Sequence, residues 1–254
     1  MLLQDKTALI FGVANNKSIA YAIAKMFKEQ GASIALNYLG EALKKRVEPI
    51  SQELKADFIF DCDVSKDEQI ERAKDLVEKK WGKIDILIHS VAFAQREDLQ
   101  GRFIDTSREG FHVALDVSTY SLVKLCQVFE PLFSEQGSVI TLSYYGAQKV
   151  IKNYNVMGIA KAALEASVRY LALDLGEKNV RINAISAGPI KTLAASGISG
   201  FKTIFKTIEE KAPLKRNITQ EEVAKTALYL ASHLSSGVTG ETIFVDAGYN
   251  ILGI

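Results

Sequence analysis

Little in this sequence would tie it to a disulfide framework, a fibre or a membrane. Cysteine occurs twice in 254 residues, at Cys62 and Cys126, too few and too far apart for a disulfide framework or a Cys-based zinc site. A reducing compartment is expected. Proline occurs four times, and no low-complexity linker or internal repeat divides the chain, so residues 1–254 read as one domain. Charge of neither sign prevails: 31 basic residues face 30 acidic ones, a net charge of +1. A nucleic-acid partner, which asks for a basic excess or stripe, is not expected. The longest stretch free of Asp, Glu, Lys and Arg is 226–240; it is too short and too rich in Ser and Thr to span a bilayer. The strand pattern begins so near Met1 that no signal peptide is read, and a cytoplasmic protein is expected. His89, His112 and His233 show no ligand spacing, and neither H-E-x-x-H nor G-x-S-x-G occurs. No metal site and no hydrolase elbow is expected.

What is present is the pattern of a soluble α/β domain. Apolar residues make up 48% and charged residues 24%, an ordinary globular balance, and a chain of this length buries on the order of 70–75% of its extended surface. Strand-length apolar runs at 7–13, 33–38, 57–60, 84–90, 138–143, 181–185 and 242–245 alternate with helix-length amphipathic stretches. The helices are expected from Ser18 to Gly31 and near 41–55, 66–81, 106–134, 153–176 and 219–232. Near-continuous apolar runs such as 84–93 point to strands covered on both faces, hence a parallel sheet. Strand–helix alternation throughout predicts a doubly wound, Rossmann-like fold with helices on both faces. The stretch 188–217 is too long for a simple connection after the sixth strand, and it predicts a substrate-binding lid or an excursion over a sheet edge.

Three motifs carry chemistry. The first strand ends in Gly12-Val13-Ala14-Asn15-Asn16-Lys17-Ser18-Ile19-Ala20. A small-residue turn opening a helix lets backbone amides approach a pyrophosphate, whose charge the helix N-terminus favours. Ser18 can cap that helix or touch phosphate. Ala14 and Ser18 stand where further glycines would be expected, so a plain strand–helix junction stays open. Cys62-Asp63-Val64 follows the third strand; Asp63 either meets an adenine amino group or caps the next helix. Finally, Ser143-Tyr144-Tyr145 ends one strand, and Tyr154 and Lys161 lie on the next helix. Seven residues are nearly two turns, so Tyr154 and Lys161 share a face. A neutral phenol beside a cation can stabilise an oxyanion forming on a substrate. An interfacial tyrosine and a surface lysine are the alternative.

Together with His89-Ser90-Val91-Ala92-Phe93-Ala94, Tyr154-Asn155-Val156-Met157-Gly158, Lys161-Ala162 and Ser186-Ala187-Gly188-Pro189-Ile190-Lys191-Thr192-Leu193, these motifs cover nearly the whole chain. In this order they resemble the short-chain dehydrogenase/reductases, and within them the divergent branch of bacterial enoyl-acyl-carrier-protein reductases. The resemblance implies an oxidoreductase that moves hydride from NADH to the β-carbon of trans-2-enoyl thioesters in fatty acid elongation, with acyl carrier protein as partner and a homotetrameric assembly. It implies that Tyr154 donates to the enolate oxygen, that Lys161 holds the nicotinamide ribose, and that Tyr144 completes the active-site pair. Gly12, Ser18 and Ile19 would cradle the pyrophosphate. Thr192 and Leu193 would close over it, with Lys191 and Ala194 in the same run. Asp63 and Val64 would meet the adenine, Val91 the adenosine side and Ile190 the nicotinamide. Leu39 would face the adenosine ribose, where relatives often carry a polar residue. Ala94 would touch the acyl group, and Met157, Ile198 and Phe201 would wall its tunnel.

Ordinary members of the superfamily place the tyrosine four residues before the lysine, where this chain has Met157. A phenol one turn earlier fits the longer reach to a thioester oxygen conjugated with the β-carbon. A ketone or 3-ketoacyl reductase of the same superfamily is the alternative activity, and the spacing speaks against it. A nucleotide-sensing relative without activity would lack the Tyr154–Lys161 pair.

Two further expectations come from charge. Past the second strand runs Asn37-Tyr38-Leu39-Gly40-Glu41, with no base before Lys44 and Lys45. A 2′-phosphate asks for a base there, so NADH is expected over NADPH. Between Lys191 and Arg216, six basic residues (Lys191, Lys202, Lys206, Lys211, Lys215 and Arg216) face only Glu209 and Glu210. An acidic carrier would meet complementary charge there, unless Phe201, Ile204, Phe205 and Ile208 simply make an amphipathic helix whose lysines face water.

Overall fold

A computed structural model describes residues 1–192 and 200–253. Seven strands, β1 (Thr7–Phe11), β2 (Ser33–Tyr38), β3 (Phe58–Asp61), β4 (Ile84–His89), β5 (Phe133–Ser143), β6 (Arg181–Ala187) and β7 (Thr242–Val245), form one parallel sheet in the order β3-β2-β1-β4-β5-β6-β7. The helices are α1 (Ile19–Glu29), α2 (Gly40–Glu53), α3 (Asp67–Trp81), α4 (Arg108–Leu115), α5 (Ser121–Phe129), α6 (Asn155–Gly176), α7 (Phe201–Lys211) and α8 (Gln220–Ala231). The alternation of side chains along a strand divides the core in two. Ala8 and Ile10 of β1 join Ile34, Leu36, Ile86 and Ile88 beneath α1, α2 and α8. Leu9 and Phe11 join Ala35, Phe60, Leu87 and Val139 beneath α3, α5 and α6. Both faces of the central strands are therefore buried, which is why their sequences read as near-continuous apolar runs.

The chain order reverses between β1 and β4, and in such sheets the crevice beyond the strands' carboxyl ends at that reversal receives the ligand. The turn into it is set by Gly12, at φ +100°, where the path of β1 ends two residues sooner than expected. A Cβ on Gly12 would lie 2.1 Å from the Ser90 carbonyl oxygen, so no other residue fits between β1 and β4 there.

The single helix expected over 106–134 is instead α4, a π-helical turn (Asp116–Tyr120) and α5. The wider turn changes which face points inward, a feature common near functional sites. Beyond it the chain is already extended at Phe133, five residues before the expected strand start. Phe133 pairs with Ile84 and Ser138 with Ile86, so the polar Ser134–Gly137 stretch bulges between two paired registers, with Gln136 at φ +65°. A bulge hides the period-two pattern on which the strand was read.

Candidate active site

The crevice is a cavity of about 440 Å³ lined from four strand ends: Gly12, Ser18 and Ile19 after β1; Ser90 to Ala94 after β4; Leu142 to Tyr144 on β5; Ala187 to Ile190 after β6. Tyr154, Met157 and Lys161 enter from α6, and Thr192 and Ile204 close the rim from the side of α7. Eleven of the expected site residues thus share one cavity: Gly12, Ser18, Ile19, Val91, Ala94, Tyr144, Tyr154, Met157, Lys161, Ile190 and Thr192.

Ser18 caps α1, its hydroxyl oxygen accepting the Tyr21 amide at 3.3 Å while donating to the Asn15 carbonyl at 2.7 Å. The remaining first-turn amides of α1 open toward the cavity, the arrangement that suits an anion. Gly12, whose missing Cβ lets the chain turn tightly against Ser90, leads into a helix end at Ser18 that carries partial positive charge, an arrangement that suits a dinucleotide pyrophosphate.

Tyr154 is held by backbone geometry on each side. Asn153 and Asn155 both adopt positive φ, +63° and +37°, a region asparagine tolerates better than most residues. The tyrosine ring then packs against Gly146, where a Cβ would come within 2.5 Å of the ring, and Gly158 in turn fits over the Gly146 carbonyl. The Tyr144 ring meets it edge-on with centroids 4.9 Å apart. Burial raises both phenols, Tyr144 to about 12 and Tyr154 further. Both are proton donors in hydrogen bonds throughout the physiological range, not bases.

Two turns along α6, Lys161 is 6% exposed and donates from Nζ to the Leu142 carbonyl at 2.8 Å. Burial pulls its ammonium down to about 8, and the carboxylate of Glu165 opposes that pull. Glu165 is itself buried; Ser143 Oγ donates to its Oε1 at 2.6 Å and Gln148 Nε2 to its Oε2 at 3.5 Å. His89 lies beneath the site, fully buried, with its ring nitrogens 2.8 Å from the hydroxyls of Thr141 and Ser121. Burial and the Lys161 charge hold it down to about 3, so it is a neutral core histidine with both ring nitrogens hydrogen-bonded.

Other expected residues lie elsewhere. Leu39 is half exposed, and with Asp63 and Val64 it sits at the carboxyl ends of β2 and β3, outside the cavity. Asp63 does not cap α3: its Oδ1 accepts the Ser65 amide and hydroxyl at 2.9 and 2.7 Å, a local turn, and α3 starts after Lys66 without a side-chain cap. Lys191 is turned away from the cavity, its ammonium 4.5 Å from the centroid of the Phe205 ring. Leu193, Ala194 and Ile198 lie outside the described residues, as does the side chain of Phe201. Gly146, Glu165 and Ser143 were missed as functional; no local pattern marks them, because each acquires its role from a contact across a chain turn. Asp61, also missed, accepts the Gly40 amide at 2.9 Å and so sets a carboxylate beside Leu39.

Among the described residues no cluster of His, Cys, Asp and Glu could hold a metal ion, and no helix is long and apolar enough to cross a membrane. Comparison with known proteins agrees with this geometry. Residues 12–250 match the family model for enoyl-(acyl carrier protein) reductase. The NADH enoyl-acyl-carrier-protein reductase of Rickettsia felis is 54% identical over 252 residues, which cover 99% of this chain and 97% of the relative. The crystal structure of the corresponding Aquifex aeolicus reductase superposes with a TM-score of 0.98 at 50% identity, covering 100% of both chains. That of the Anaplasma phagocytophilum reductase in complex with NAD gives 0.96 at 47% identity, covering 100% of this chain and 97% of the other. The chain belongs to the enoyl-acyl-carrier-protein reductase family, on the doubly wound fold of the short-chain dehydrogenase/reductases.

Proposed function

We propose that this cavity reduces trans-2-enoyl thioesters carried on acyl carrier protein, using NADH. The observation that carries the reading is the convergence of the buried Tyr154 phenol, the half-buried Tyr144 phenol and the buried Lys161 ammonium on an apolar cavity at the strand reversal. When bound, the reduced nicotinamide supplies the hydride that arrives at the substrate β-carbon. The hydroxyl of Tyr154 donates a hydrogen bond to the thioester oxygen as negative charge develops on it. This group is more valuable in the transition state than in the ground state, because the oxygen becomes an acceptor of full charge only then. Lys161 holds the ribose hydroxyls with the N–H groups that Leu142 leaves free, and Tyr144 fixes the plane of Tyr154. Met157, Leu99, Ile151 and Ile204 give the acyl chain an apolar wall and exclude water from the enolate. Of the segment 188–217, residues 193–199 lie outside the described residues, and α7 supplies the substrate-side cover through Ile204.

NADH fits better than NADPH at the far end. Glu41, Asp61 and Asp63 place three carboxylates around the ends of β2 and β3, and Lys44 is occupied by Glu41 at 3.4 Å. A 2′-phosphate would meet like charge there. The enzyme acts in the cytoplasm as a homotetramer. That assembly is supported by the exposed Ile159, Tyr170 and Leu173 on α6, with the half-buried Ala163 and Ala166 between them and Tyr170 and Leu173 about three-quarters exposed, and by the edge strand β7, paired on one side only.

The test mixes protein, reduced cofactor and crotonyl thioester and follows nicotinamide absorbance. Consumption of the enoyl substrate with NADH is expected, with essentially no turnover of a 3-ketoacyl thioester. Faster reduction of the keto substrate would overturn the reaction, and a higher kcat/KM with NADPH would overturn the cofactor choice.

A further inference from the structure

We propose that Glu165 is a positioning residue for Lys161: a buried carboxylate, one turn beyond Lys161 on the same buried face of α6 and fastened to the end of β5, whose charge acts on the Lys161 ammonium. The proposal rests on the reading of Lys161 as the group that holds the cofactor ribose.

Residues four apart on a helix face each other, so Glu165 and Lys161 lie on the buried side of α6 together. Two consecutive residues of β5 hold the pair. The Leu142 carbonyl accepts from Lys161 Nζ at 2.8 Å, and Ser143 Oγ donates to Glu165 Oε1 at 2.6 Å. Gln148 donates to the other carboxylate oxygen, so neither oxygen is left bare in the interior. Burying an ammonium favours its neutral form, and a neutral lysine would hold ribose hydroxyls less firmly. The groups facing Lys161 from other elements do not offset this. His89 on β4 is a neutral ring, and Tyr144 after β5 and Tyr154 at the head of α6 are neutral phenols. The opposing charge is that of Glu165.

A purely mechanical role, tying α6 to β5, would need only the oxygen that accepts from Ser143. Glu165→Gln keeps that acceptor and removes the charge. The experiment follows NADH binding by fluorescence from neutral to strongly alkaline pH in the full chain and in Glu165→Gln, Ser143→Ala and Lys161→Ala. The parent protein should lose affinity as pH rises through about 8, where the ammonium deprotonates. In Glu165→Gln that loss should begin about one pH unit lower, the effect expected of one nearby charge in a partly polar interior. Ser143→Ala retains the carboxylate and should leave the loss within a few tenths of a unit of the parent's. An unmoved alkaline limb in Glu165→Gln, with affinity lost in Lys161→Ala, overturns the proposal and spares the lysine reading. Undiminished NADH affinity in Lys161→Ala overturns the reading itself. Should Glu165→Gln fail to fold, Glu165→Asp draws the charge back by one methylene and must shift the limb the same way by less; an unmoved limb there overturns the proposal equally.

Discussion

At the residue scale, Tyr154 shows how a side chain with ordinary chemistry is given a task by its surroundings. Its ring is confined between Tyr144 and the backbone gap at Gly146, and burial strengthens its hold on the proton. Tyr154→Phe keeps the packing and removes the donor. It should lower kcat by about 10²–10³-fold, the loss typical of one oxyanion donor, and leave NADH affinity unchanged; steady-state kinetics and fluorescence titration read the two separately. Gly146→Ala acts on the same phenol without touching substrate. The added methyl would meet the Tyr154 ring at 2.5 Å and must push it aside. Because misplacement by about 1 Å can cost on the order of 10²-fold, kcat should fall with little change in NADH affinity. The seven-residue spacing of Tyr154 and Lys161 was legible in the sequence, since helix geometry alone puts them on one face. Gly146 was not: it reads as a small residue in a turn, and only the ring packed against it makes it indispensable.

Among the elements, those with local signals were read correctly. Ser18 caps α1 as its residue type suggests, and the helix expected near 219–232 is α8, where the structure adds a capping box of Thr219 with Glu222. The amphipathic pattern of 201–208 appears as α7, with Ile208 buried in the core and Ile204 at the cavity. Its basic character survives folding only in part. Arg216 is engaged by Glu222 at 2.7 Å, and Lys191 by Phe205. Lys206 is three-quarters exposed, its pairing with Glu210 at 3.6 Å being of the weak surface kind. An acidic carrier docking on α7 would find that charge available. Reversing Lys202 and Lys206 to Glu should therefore reduce turnover of carrier-bound crotonyl substrate several-fold at low salt and less at moderate salt, while coenzyme-A-bound substrate is turned over as before. An equal effect on both substrates would mean that α7 merely presents a solvated face.

For the whole molecule, Ile159, Tyr170 and Leu173 on α6 are exposed apolar side chains opposite the buried face of that helix, with half-buried Ala163 and Ala166 between them. Isolated exposed apolar residues need no explanation, but a continuous stripe at helical spacing marks an interface. Tyr170→Glu with Leu173→Glu places two charges on it and, if the proposed tetramer forms there, should give a smaller species in analytical ultracentrifugation. The fold of each subunit should be retained, because both side chains point outward. A parent protein that sediments as a monomer would refute the assembly.

The doubly wound fold, the glycine turn into α1 and the shared helix face of Tyr154 and Lys161 were legible in the sequence alone. Each depends on periodicity or on residues within a few turns of one another, where backbone geometry leaves little choice. Tertiary structure decided what depends on contacts between distant segments. It set Gly12 against Ser90, Gly146 against Tyr154, and Ser143 against Glu165. It broke the long predicted helix with a π turn and advanced β5 to Phe133 through a bulge. It also turned Lys191 out of the cavity and brought Asp61 beside Leu39. Local patterns report how a segment faces the core as a whole. They do not say which atom of a neighbouring strand or helix will stand opposite, and that close approach fixes the geometry and charge of the site.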